Sequence, residues 1–128
     1  MNKEFITYEE ALALKELGFD EPCFGYHNID PYLKTPTFNL VKPFDHEWCL
    51  PAPLYQQAFR WFRNEYNYVH TIFPADLALH EKKKTDYACG LYLNDPVEIM
   101  HIKGRFNSYL EAQKICLRKL IEIVKENL

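Results

Sequence analysis

The chain is poor in glycine: 128 residues hold only four, scattered along the sequence. Neither GxGxxG nor GxxxxGK occurs, so no glycine-rich loop is available to cradle phosphates. Basic charge is not in excess either. Fifteen Lys and Arg face eighteen Asp and Glu, a formal net charge of −3. A general nucleic-acid binder needs a positive field to displace counterions, and that class is set aside, although a local basic patch is compatible with the total. No apolar run approaches the ~20 residues that span a bilayer. The opening MNKEFITYEEALALKELGF does not read as a signal peptide, because acids interrupt its apolar stretch. The C-x2-C knuckle of most structural zinc sites is missing, as are internal repeats and low-complexity tracts. These absences lead to the expectation of a soluble cytoplasmic protein, off the membrane, with its four cysteines as free thiols.

What is present is a core. The composition is 48% hydrophobic and 16% aromatic, enough for one domain over residues 1–128. Two capping boxes mark helix starts. Thr7 can cap the Glu10 amide while Glu10 reaches back, and Ser108 and Glu111 repeat the pattern. The first predicted helix runs from about Tyr8 to Leu17 and ends at Gly18, with Phe19 closing an apolar contact over the last turn. The last runs from Tyr109 to about Asn127. Its apolar face holds Leu110, Ala112, Cys116, Leu117, Leu120, Ile121, Ile123 and Val124, and Arg118 and Glu122 are spaced to pair on the other face. That apolar arc, with Ile115 at its margin, is wide enough to bury a second subunit, so a homo-oligomer is compatible with it. A third helix opens near Pro53 and covers LYQQAFRWFRNEYN, aromatics on one side and Arg60 and Arg63 on the other.

Strand signals lie between the helices: CFGYH, YVHTIF, and the pair TDYACGLYL and VEIMHIKGRF flanking an NDP turn. Residues 28 to 53 carry five prolines and are expected to be an irregular loop, with room for a short strand around TFNL or WCL. The expected class is α+β, a small antiparallel sheet with three helices packed on it.

Three stretches, ALALKELGFDEPCFGY, PAPLYQQAFRWFRNEY and SYLEAQKICLRKLIEIV, resemble a family of short proteins of Bacteroidetes-type bacteriophages and prophages. They cover somewhat over a third of the chain. The resemblance carries no activity and no site residue with it. It implies a phage accessory protein in the host cytoplasm, acting against host defences by binding.

Several residue groups are candidates for chemistry. Cys23, His27, His46 and Cys49 form C-x3-H…H-x2-C, the right donor types for zinc. If residues 23 to 27 are extended, however, Cys23 and His27 stand roughly 13 Å apart, too far for one ion. The bland reading is a buried thiol and a polar histidine. Asp45, His46 and Cys49, with Glu47 beside them, could serve a small hydrolase if His46 activated the thiol, but no nucleophile signature surrounds them. Cys89 and Cys116 read as core, and His70 and His101 as structural. The favoured function is non-catalytic binding, with no cofactor. The partner is a host protein, or a small anionic ligand such as a nucleotide signal. An anion would be held by Arg60, Arg63, Lys82, Lys83 and Lys84, with an aromatic such as Trp48 or Tyr32. An ordinary solvated helix face is the competing reading of the two arginines.

Overall fold

A computed structural model describes residues 4–28, 49–74, 86–93 and 98–127. The order is α1 (Tyr8–Glu16), β1 (Gly25–Asn28), β2 (Cys49–Ala52), α2 (Tyr55–Tyr66), β3 (Val69–Pro74), β4 (Tyr87–Leu93), β5 (Glu98–Phe106) and α3 (Tyr109–Glu126). This is the α+β class that the pattern predicts. Among the described residues the strands form two antiparallel sheets rather than one. One is β1–β2, and the other is the three-stranded β3–β4–β5.

Each helix starts and stops for a local reason. Thr7 Oγ1 accepts from the Glu10 amide at 3.2 Å, and Glu10 Oε1 accepts from the Thr7 amide at 2.9 Å, so the first capping box closes. At the other end of α1, Gly18 takes φ +101°, and the Gly18 and Phe19 amides bond back to Lys15 and Leu14. The second box forms differently. Ser108 Oγ accepts from Glu111, but the Glu111 carboxylate reaches past the cap to the Asn107 amide at 3.1 Å. Leu54, not Pro53, is the N-cap of α2, and no side chain caps that end. The Pro53 carbonyl is used instead by the Ile6 amide at 3.0 Å, which ties the N-terminal segment to the helix entrance.

Helix α3 is the centre of the packing. It contacts β3, β4 and β5, and also α1 and α2. Its wide apolar arc is therefore used within the chain, against sheet and helices together. Cys116, Leu117 and Leu120 are fully buried there, beside Leu91 and Cys89 of β4 and Tyr55, Phe59 and Phe62 of α2. Burying side chains of this size contributes about 1.5–3 kcal/mol each. The expected Arg118–Glu122 pair gives way to two others: Arg118 Nε lies 3.8 Å from Glu10 Oε2, and Glu122 pairs with Lys119 at 3.5 Å. Helix α1 rests on β2 and α3. Its link to α2 is the Tyr55 hydroxyl, which donates to Glu10.

Candidate functional site

The zinc and thiol readings meet the structure at β1. Cys23 is fully buried, and its Sγ donates to the Glu21 carbonyl at 3.3 Å. Burial, helped by the Glu21 charge, pushes its pKa up to about 12. The thiolate needed for metal binding or nucleophilic attack is strongly disfavoured there. His27 is buried too, with Nε2 3.0 Å from the Ile6 carbonyl and its ring edge-on to Tyr8. A carbonyl only accepts, so Nε2 carries the proton and the ring is built into the core. Cys49 pairs along the backbone with Asn28, and His27 pairs with Leu50. Asp45, His46, Glu47, Trp48, Tyr32, Lys82, Lys83 and Lys84 lie outside the described residues. Among the described residues no group of three or more His, Cys, Asp or Glu could hold a metal ion.

Arg60 and Arg63 are exposed on α2, as the helical pattern predicts. They are not equivalent. Arg60 lies 3.9 Å from the Glu21 carboxylate, and Gln57 beside it donates to the Pro22 carbonyl at 2.9 Å and to Glu21 at 3.3 Å. This face of α2 therefore fastens the loop that follows α1, and an acid sits where a bound anion would have to approach Arg60. Arg63 acts on His70. Burial, and then the Arg63 charge, lower the His70 pKa to about 4. The His70 ring stacks on Phe59, centroids 3.6 Å apart and planes 10° from parallel. The remaining thiols, Cys89 and Cys116, are buried in contact with each other, and burial raises both pKa values.

The feature that stands out is the outer face of β3–β4–β5. Strand register places Val69 opposite Tyr92 and Tyr92 opposite Ile99, so the three form one row across the sheet. They are 37%, 42% and 55% exposed. Phe73, on the same face opposite Ala88, is exposed as well. Between them lies Gly90, opposite Thr71 and His101. A Cβ there would stand 3.6 Å from Thr71 Cγ2 and only 3.2 Å from the Met100 carbonyl, so the missing side chain leaves a closely walled dip in the middle of the face. The alternate residues Ile72, Cys89, Leu91, Met100 and Ile102 turn inward to the core, and His70 turns inward onto Phe59 of α2. A half-covered antiparallel sheet ordinarily turns polar side chains outward. Here the outward row Val69–Tyr92–Ile99 is apolar, and the polar Thr71 and His101 occupy the next row.

Sequence reasoning missed this face. Its signal was available: Ile72 and Phe73, Leu91 and Tyr92, Ile99 and Met100 put apolar residues at both parities of every strand. Such runs read equally as a sheet covered on both faces. A second omission is Gln113, a buried polar residue within the apolar half of α3.

Comparisons with protein-family models, with curated proteins and with solved structures find no match to this chain. Among the described residues no helix is long and apolar enough to cross a membrane.

Proposed function

We propose that this is a non-catalytic binding protein that takes a protein partner on the outer face of β3–β4–β5. The row Val69–Tyr92–Ile99 carries the reading, because contiguous exposed apolar side chains on a small domain mark interaction surfaces. Tyr92 is the natural anchor, large and amphipathic at the centre of the row. Under the phage resemblance the partner is a host protein, and covering it is the counter-defence act. The small-anion version rests on Arg60 and Arg63, and Glu21 beside Arg60 works against it. The acid–base and thiol groups in the described core are in structural service: Cys23 and His27 are hydrogen-bonded to backbone carbonyls, and Cys89 and Cys116 are buried against each other.

Tyr92→Asp and Ile99→Asp test the proposal. Both sites face outward, so the variants keep the native spectrum. Each weakens partner binding by at least about thirtyfold, the loss of roughly 2 kcal/mol at an anchor. Unchanged binding in the double variant would refute the assignment. A concentration-dependent doubling of mass that the same variants abolish would make the partner a second copy of this chain.

A further inference from the structure

A cavity of about 270 Å³ opens beside the N-terminus of α2, away from the outer sheet face. Glu4, Leu54, Tyr55, Gln56, Tyr109 and Gln113 line it, so the N-terminal segment, the first turn of α2 and the first turns of α3 meet there. Two observations point independently to a ligand. First, Gln113 is only 8% exposed, lines the cavity, and makes no hydrogen bond among the described residues. Its amide is not among the fully buried polar atoms left without a bond, so it opens to the cavity and presents a donor and an acceptor there. Second, the α2 N-terminus opening here has no side-chain cap and no acid in its first turn. Leu54 is bridged to Phe5, and beyond that bridge the Gln56 and Gln57 amides and the positive end of the helix dipole attract an anionic group.

The other walls narrow the ligand. Glu4 is an exposed acid in the cavity wall, and its charge repels a simple anion and favours a molecule that also carries a cation. Leu54 and the half-exposed ring of Tyr109 supply apolar surface. The volume lies just under the about 300–1,000 Å³ of sites for drug-sized ligands, which favours a small molecule. We infer that the cavity binds a small zwitterion of the α-amino-acid type. Its carboxylate sits at the α2 N-terminus and its ammonium faces Glu4. The Gln113 amide completes the polar contacts, and an apolar side chain packs on Leu54 and Tyr109.

The test is a two-dimensional amide NMR titration of the full chain with L-leucine and L-phenylalanine. The single-charge analogues 4-methylpentanoate and leucinamide serve as controls. Saturable shifts are expected at the Gln56 and Gln57 backbone amides and the Gln113 side-chain amide, with the analogues binding about tenfold more weakly. Gln113→Leu should weaken amino-acid binding by about tenfold while leaving the unfolding midpoint unchanged or raised, since a purely structural glutamine would lower it on removal. Glu4→Gln, on an exposed residue, should weaken the amino acids and not 4-methylpentanoate. Absence of saturable shifts at Gln113, or undiminished binding by both variants, would overturn the inference. Analogues binding as tightly as the amino acids would overturn its zwitterionic part.

Discussion

The Tyr55 hydroxyl donates a 2.9 Å hydrogen bond to Glu10 Oε1, joining the first turns of α2 and α1 inside the core. The same oxygen caps Thr7, while Oε2 is buried without a hydrogen bond, 3.8 Å from the Arg118 guanidinium. One carboxylate thus serves a cap, a helix–helix bond and an ion pair. Tyr55→Phe removes the bond at little cost in volume and should destabilise the protein by about 1.5–3 kcal/mol in urea unfolding, the range for a bond to a charged acceptor. Burial and the Glu10 charge hold the Tyr55 pKa well above its ordinary 10. Below pH 10 both folded and unfolded chains keep the phenol proton; above it only the unfolded chain releases it. Stability should fall as pH rises past 10, and less so in Tyr55→Phe.

His70 governs the acid side. Its folded pKa is depressed from 6.5 to about 4, so between those values the unfolded chain binds a proton that the folded chain refuses. Stability present above pH 6.5 is lost progressively as pH falls towards 4. Each unit is worth about 1.4 kcal/mol, and solvent screening of a partly exposed ring leaves about 2 kcal/mol in total. His70→Leu should flatten this part of the profile relative to the parent. At neutral pH its cost should be that of the ring stack on Phe59, because Nδ1 has no hydrogen bond to lose.

Three core thiols should be silent in the native state. Cys23, Cys89 and Cys116 are buried with raised pKa values, so at pH 8 none should alkylate with iodoacetamide, and all three should react in denaturant. Peptide mapping by mass spectrometry reads each site separately. Native modification of Cys23 would revive a reactive-thiol role for it.

Gly18→Ala isolates the helix stop. A Cβ there meets nothing within 4 Å, so the cost is that of holding a side-chain-bearing residue at φ +101°. The penalty should be about 1–2 kcal/mol, with no change in the NMR contacts of Phe19.

The helices and most strands were legible because each carries its own punctuation. Thr7 and Gly18 bound α1, the aromatics of LYQQAFRWFRNEYN fall on one side, and every residue placed on the apolar face of α3 is buried or packed on the core. Pair choice was less legible. Arg118 has the spacing to reach Glu122, but a buried carboxylate at Glu10, brought near only by tertiary packing, holds it instead. The split into two sheets was hidden for the same reason, since strand runs announce themselves and not their partners. The candidate anion site was read from charge alone. Glu21 lies 39 positions before Arg60, and nothing local shows that it would come to stand beside that guanidinium. The apolar outer face escaped because Val69, Tyr92 and Ile99 form a row only once register is known.

The most direct test of the binding face is hydrogen exchange on the protein with and without its captured partner, read peptide by peptide. The account predicts new protection in β3, β4 and β5 around Val69, Tyr92 and Ile99, lost together with binding in the Tyr92→Asp, Ile99→Asp double variant. Protection confined to the exposed face of α2 around Arg60 and Arg63, with β3–β5 unchanged, would contradict it.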